Sequence, residues 1–389
     1  MISEEEARRQ VLQRVEPLRE RTVPLPAGLD CFSARDVIGR LPLPNFDNSA
    51  MDGYAVVASS SARGARLQVI GEQPAGVDRR LRISPGEAAR IFTGAPIPAG
   101  ADAVVMQEDT VREGEKILVN VDVSPGEFIR RRGCDLAEGQ KILARGERIR
   151  PTTIALLASQ GFADVSIGGE VNAAIISTGD ELVMPGRKLD QGQIYDSNGP
   201  LLQGLLQRCD ASVKSVEHCP DQHEHLMKAI NRGTKNHVLV ITGGVSVGEH
   251  DLVQATLRTL GATIEIWRVA IKPGKPFLFG EVNGCAVFGL PGNPVSAFVT
   301  FLQFVRPAIL KMMGAGDLNA PTSPAKLALD LTNEGDRPHY VRGRIENGTF
   351  TPIGRQESHA LFGLSQSNAL VRVAVGESLR AGEIVDVQI

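Results

Sequence analysis

Tryptophan is nearly absent: Trp267 stands alone, and phenylalanine, tyrosine and tryptophan together make up 4% of the chain. So few aromatics argue against the stacking platforms that hold single-stranded nucleic acid. Positive charge is not in excess, since 42 Lys and Arg face 45 Asp and Glu for a formal net charge of -3. That balance argues against a general nucleic-acid or anionic-membrane binder. No apolar run approaches the ~18 residues needed to span a bilayer. The first residues, Met-Ile-Ser-Glu-Glu-Glu, are acidic where a secretory signal would be basic. The five cysteines (Cys31, Cys134, Cys209, Cys219 and Cys285) are scattered with no C-x-x-C, a usage that suits a reducing cytoplasm. Also missing are a G-x-G-x-x-G, a Walker P-loop, a G-x-S-x-G, any internal repeat and any low-complexity tract. The expectation is a cytoplasmic protein with no nucleic-acid or membrane partner.

What is present begins with size. A chain of 389 residues, 42% apolar, suggests roughly two to four domains. Residues 3–18 predict a helix, with Ser3 and Glu6 as a capping box and Ala7, Val11, Val15 and Leu18 on one face. From about 21 to 137, short apolar runs alternate with Pro/Gly turns, which predicts mostly β structure. Pro151 to Gly161 predicts a second helix.

From about 171 to 312 strands and helices alternate. Strands are expected over Ala173–Ile176, Ser212–Glu217, Val238–Ile241, Ile264–Trp267 and Cys285–Leu290. Helices are expected over Gly199–Arg208, Glu224–Asn231, Leu252–Leu260 and Val295–Met312. This alternation predicts a doubly wound α/β domain. Residues 314–324 read as a linker, and the last ~65 residues as a small β domain.

Chemistry concentrates in the α/β segment. Ser177-Thr178-Gly179-Asp180-Glu181-Leu182 and Thr242 to Asp251 each follow a buried apolar run. In an open parallel sheet, ligands bind outside the carboxyl ends of the strands. Asp180, Glu181 and Asp251 should therefore share a rim with backbone N–H groups around Gly243, Gly244 and Ser246 that can cradle an anion. Carboxylates beside such a cradle suggest a divalent metal bridging to phosphate.

Lys272-Pro273-Gly274-Lys275-Pro276 sets two cations three apart in a stiff loop suited to a compact dianion. Alone it also reads as an exposed basic turn. Pro291-Gly292-Asn293-Pro294-Val295-Ser296 opens a helix whose N-terminal N–H groups attract anions, with Ser296 as a further donor. Asp52, in Asp47 to Tyr54, reads equally as a ligand or as an Asx turn. Arg130 to Asp135 reads as a solvated basic turn. His218 to His225 contains potential soft-metal ligands, but His223 and His225 would diverge on a helix, which argues against a metal site.

Taken together these segments resemble the molybdopterin molybdenumtransferase family, comprising the MoeA proteins and the related E domain of gephyrin. The matching segments are Phe46 to Ala55, Thr93 to Pro98, Ser177 to Leu182, Ile194 to Asn198, Thr242 to Asp251, Lys272 to Pro276 and Pro291 to Ser296. They run in the family's order and cover most of the chain.

The resemblance implies a multidomain α/β plus β subunit. A discontinuous N-terminal domain would span 1–20 and 138–170, and a β-rich domain 21–137 would be inserted in it. A molybdopterin-binding α/β domain (171–313) and a C-terminal β domain (325–389) would follow. It also implies a homodimer whose active site lies between subunits, with Asp52 and Thr93 supplied by the partner.

The implied reaction places molybdate on adenylated molybdopterin, cleaves the pyrophosphate and releases molybdenum cofactor and AMP. A molybdopterin adenylyltransferase would act upstream. Glu181, Asp196 and Asp251 would hold Mg²⁺, with Asp52, Thr93, Glu181 and Asp251 as the catalytic set. Lys272, Lys275, Pro291, Pro294, Ser296, Arg342 and Ser358 would hold molybdate and substrate. Asp135 and Asp221 match further acidic positions. One departure is Glu357, where the family often has Gly; a carboxylate facing the site there would repel molybdate. Alternatives are a non-catalytic molybdopterin-binding scaffold, the adenylyltransferase of the preceding step, and a pterin- or nucleotide-binding domain of another pathway.

Overall fold

The structure is a computed structural model and describes residues 1–244 and 252–389. It divides into two compact units, Met1–Arg35 with Arg145–Ile154 and Ala163–Ile389, and Asp36–Ala144 with Ala155–Phe162.

The larger unit is built on a seven-stranded sheet. Its strands run, edge to edge, Ile2–Ser3, Thr263–Ala270, Pro276–Val282, Cys285–Leu290, Val238–Thr242, Asn172–Thr178 and Ser212–Cys219. The last four pair in parallel. Alternation along each strand sorts side chains onto two faces. Ala173, Ile175, Val238, Val240, Phe288 and Leu290 pack with Leu202 and Leu206 of the Asn198–Arg208 helix on one face. Ala174, Ile176, Leu239, Ile241 and Val287 pack with Leu226, Ile230, Val253 and Leu257 on the other. The latter come from the helices His223–Gly233 and Leu252–Thr259. A strand covered on both faces must be apolar where it is covered, as Val238–Ile241 and Cys285–Leu290 are.

The expected strands and helices of this segment all form, with end shifts of a few residues. Pro276–Val282 is an additional strand, antiparallel to both neighbours, so the sheet is mixed. The first helix ends at Arg14, with Val15 as its cap, rather than continuing to 18. Pro17 has no N–H to extend the ladder and biases the preceding residue away from helical geometry.

The Pro294–Met312 stretch forms the long helix expected over Val295–Met312. It is one helical run of 19 residues with mean hydropathy 1.3, long and apolar enough by length and composition to cross a bilayer. Here it is a core helix: 72% of its apolar window is buried inside the fold, with Val299, Phe301, Phe304 and Val305 fully covered. The run widens at Phe301–Val305, where the Arg306 N–H bonds back to the Phe301 carbonyl. Pro307 explains the wider turn: it supplies no N–H, and its ring crowds the carbonyl four residues back.

The C-terminal strands Thr322–Leu327, Thr349–Pro352, His339–Glu346, Ala369–Val373 and Ile384–Gln388 close a small barrel in that order. It shares the α/β core through Tyr340, Leu364 and Leu370. Arg372 adds an ion pair to Glu4, a carboxylate left 8% exposed.

The smaller unit carries a six-stranded sheet ordered Ala103–Met106, Gly53–Val56, Glu87–Ile91, Arg66–Gln73, Lys116–Val119 and Thr110–Glu113. Its core is formed by Val56, Leu67, Ala88, Val105, Ile117 and Val119.

Candidate active site

Register determines where the site lies. Ser177 sits opposite Thr242, and Thr242 opposite Leu290. The turns after these three parallel strands therefore emerge side by side at the carboxyl edge of the sheet, the place where such sheets bind ligands. They open into a cleft of about 1030 Å³ within the larger unit.

The acidic wall comes from the first turn and its neighbours. Glu181 lines the cleft and is exposed, while Asp196 lines it from a nearly buried position, 3% exposed. Asp196 accepts the Gly199 N–H at 3.0 Å. A Cβ on Gly199 would lie 2.7 Å from Asp196 Oδ2, so only glycine lets the helix start this close to the carboxylate. Asp180 does not line the cleft. Its carboxylate accepts the Asp221 N–H at 3.0 Å, and Asp221, itself a lining residue, accepts the Thr178 hydroxyl. One rim carboxylate is thus spent in positioning another.

Gly243 and Gly244 line the cleft as expected. Gly243 has φ +87°, and a Cβ there would meet the Thr178 carbonyl at 2.2 Å, which excludes a side chain. Ser246 and Asp251 lie outside the described residues. Asn198 links the turns: its Nδ2 donates to Thr242 Oγ1 at 2.9 Å and to the Gly292 carbonyl at 2.8 Å.

Lys272 and Lys275 line the basic wall, and both are exposed. Their loop is anchored to the C-terminal strand: the Lys272 N–H donates to Pro338 O at 2.8 Å, and the Tyr340 N–H to Lys272 O at 2.7 Å. His339 sits beside this loop with its Nε2 buried and unpartnered among the described residues. Burial, with the positive charges of Lys272 and Arg342, pushes its pKa down to about 4. The ring is therefore neutral and adds no charge to the wall.

Pro291, Pro294 and Ser296 line the third wall, and Ser296 is 4% exposed. The expected free N–H groups at this helix start are partly used, since the Val295 N–H donates to the Ser358 carbonyl at 3.1 Å. Asn293 Nδ2 donates to Ser358 Oγ at 2.8 Å. Ser358 and Glu357 both line the cleft. Arg342 does not: it is fully buried, and its guanidinium donates to the carbonyls of Ala360 (3.1 Å), Glu357 (3.2 Å) and Arg355. It holds the Ser358 loop from behind. Gln356, whose role the sequence did not signal, donates to the Arg342 and Ile353 carbonyls and lines the same wall.

Asp52 and Thr93 belong to the smaller unit. The exposed Asp52 carboxylate accepts the Thr93 N–H at 2.7 Å and its hydroxyl at 2.8 Å, and these bonds hold its pKa below the usual carboxylate range. Asp135 is exposed in the same unit. In the basic run, Arg131 and Arg132 pair with Asp47 and Glu138.

For a metal, Glu181 and Asp196 are hard oxygen donors in one cleft. Among the described residues no three His, Cys, Asp or Glu side chains are grouped to hold an ion unaided. Two carboxylates, with water and phosphate completing the shell, suit Mg²⁺. In the His218–His225 tract, His218 Nε2 lies 3.0 Å from Gly179 O and His223 Nδ1 lies 3.0 Å from Thr256 Oγ1.

Comparison with known proteins agrees with this architecture. Residues 2–161 match the MoeA N-terminal region (domain I and II), 174–311 a probable molybdopterin binding domain, and 324–389 the MoeA C-terminal region (domain IV). The chain is 37% identical to a molybdopterin molybdenumtransferase of Haemophilus influenzae, over 100% of this chain and 98% of that protein. It is 35% identical to molybdopterin molybdenumtransferase 2 of Mycobacterium tuberculosis, over 99% and 100%. The crystal structure of the molybdopterin biosynthesis protein moeA from Pyrococcus horikoshii superposes with a TM-score of 0.87 at 30% identity, covering 100% of both chains. With all three regions present in order along its length, the chain belongs to the molybdopterin molybdenumtransferase family.

Proposed function

We propose that this protein inserts molybdate into adenylated molybdopterin, cleaving the pyrophosphate link and releasing molybdenum cofactor and AMP. The observation that carries this reading is the pairing, in one cleft, of Glu181 and Asp196 with Lys272 and Lys275. A substrate with a pyrophosphate and a small dianion needs both signs of charge close together.

Lys272 and Lys275 act as point charges for the molybdate dianion, with Ser296 donating a hydrogen bond beside them. Glu181, Asp196 and Asp251 would hold Mg²⁺. When bound, the ion neutralises charge developing on the pyrophosphate. The glycine turn at Gly243 and Gly244 lets the substrate phosphates approach backbone N–H groups. Pro291 and Pro294 stiffen the wall that faces the substrate. Arg342 acts through Ser358 and Glu357, by fixing the loop that bears them.

The active assembly is a homodimer. In it, Asp52 and Thr93 of the partner's β-rich domain complete the site, and the hydrogen bonds from Thr93 keep Asp52 ionised. The four-domain division expected above is retained. The protein acts in the cytoplasm after a molybdopterin adenylyltransferase; the five unpaired cysteines suit that compartment.

Incubation with adenylated molybdopterin, Mg²⁺ and molybdate, followed by activation of a cofactor-free molybdoenzyme, tests the reading. Wild-type protein should yield active cofactor, whereas Glu181→Ala should yield none while keeping the same oligomeric state. An unchanged rate for that variant would remove Glu181 from the site.

A further inference from the structure

The cleft walls mix charged and polar side chains with prolines and aliphatic residues, and Tyr195 is the one Phe, Tyr or Trp among the described residues lining them. The residue is 45% exposed, in a chain with three tyrosines and one tryptophan. The hydroxyl is not free to serve the ligand, because it donates to the Arg187 carbonyl at 2.7 Å. That bond ties down the far end of the ring and leaves its apolar faces as the available surface.

The backbone around the ring is equally fixed. Leu182–Val183 pairs in parallel with Ile194–Tyr195. The Ile194 N–H donates to Glu181 O at 2.9 Å, and the Asp196 N–H to Val183 O at 2.9 Å. Tyr195 is therefore held in register with the two carboxylates that flank it in the cleft.

We infer that Tyr195 is a stacking surface for a planar heteroaromatic ring of the substrate. This rests on the reading of the cleft as the site for adenylated molybdopterin. That substrate carries such a ring, pterin or adenine, on each side of its pyrophosphate. With the phosphates held beside Glu181 and Asp196 through the Mg²⁺ that those carboxylates would hold, a ring beyond the ribose or the pyran comes within reach of the neighbouring aromatic face. Offset stacking needs only a flat π-surface, and Tyr195 supplies it at low entropic cost because it is already tethered.

Equilibrium binding of adenylated molybdopterin to wild type, Tyr195→Ala and Tyr195→Phe tests this. Loss of the ring should weaken binding on the order of tenfold, while the phenylalanine variant should stay within about threefold of wild type. AMP alone and non-adenylated molybdopterin, titrated separately, identify the ring: whichever loses affinity in Tyr195→Ala is the stacked one, and either result supports the proposal. Tyr195→Leu, which keeps apolar bulk without a π-face, covers the case in which the alanine variant does not fold, and it should bind as weakly as alanine. Equal affinity of wild type and the ring-less variants overturns the inference and leaves the proposed function standing. A phenylalanine variant as weak as the ring-less ones also overturns it, since the tether would then matter and not the ring. Wild type that binds no adenylated molybdopterin overturns the proposed function and the inference together.

Discussion

Lys272 and Lys275 are exposed lysines with no ion pair among the described residues, so their charge is available to a ligand. Loss of one should cost a charge-assisted contact. Lys275→Ala is expected to raise the molybdate concentration for half-maximal turnover by roughly tenfold or more; an unmoved requirement would remove that lysine from the anion site. Glu357 works the other way. It shares the wall with Ser358, and Glu357→Gly should lower the same concentration severalfold by removing a like charge. His339 gives a pH signature. Its pKa falls from 6.5 to about 4 in the fold, so the unfolded chain binds more protons between those values. Stability contributed by the neutral ring is present above about 6.5 and is lost as pH falls toward 4. His339→Gln should therefore lose less Tm than wild type across that window, and parallel Tm profiles would contradict the assignment.

At the scale of elements, the cleft depends on turns held by close contacts. Gly199→Ala would drive a Cβ against Asp196 and, at 3.2 Å, against Ser177 Oγ. The helix start or the carboxylate must shift, and turnover should fall while the sheet core stays intact by circular dichroism. Arg342→Ala strands three carbonyls and opens a cavity behind the Ser358 loop, a loss on the order of 3 kcal/mol, readable by urea unfolding. The strands and helices around these turns are legible because the central strands are apolar runs and each helix carries a stripe. Val238–Thr242 and Cys285–Leu290 are the clearest cases. Pro276–Val282 is not legible as a strand because it opens on the proline of the Lys272–Pro276 loop and carries Gly280 in its interior. That glycine is needed where the strand crosses Thr263, 2.6 Å from where a Cβ would sit. The acidic and basic turns were likewise readable as cleft residues. The inward retreat of Arg342 was not, because an arginine that serves backbone carbonyls and one that serves an anion look alike in sequence. Nor was the spending of Asp180 on Asp221, a contact between residues 41 apart in the chain.

For the whole molecule, the C-terminal barrel is part of the α/β core, since Tyr340, Leu364 and Leu370 are buried in it. Deleting residues 321–389 should uncover that surface and remove the Ser358 wall at once, giving a protein that unfolds at lower temperature and turns over no substrate. A truncated protein of unchanged Tm would show the barrel to be an independent appendage. The central claim concerns the cleft as a place where a dianion and a pyrophosphate react together. It is tested most directly by AMP release from adenylated molybdopterin by the purified full-length protein with Mg²⁺, measured with and without molybdate. Release that depends on molybdate, with active cofactor formed in step, is the predicted result; tight binding without release in the presence of molybdate would contradict it.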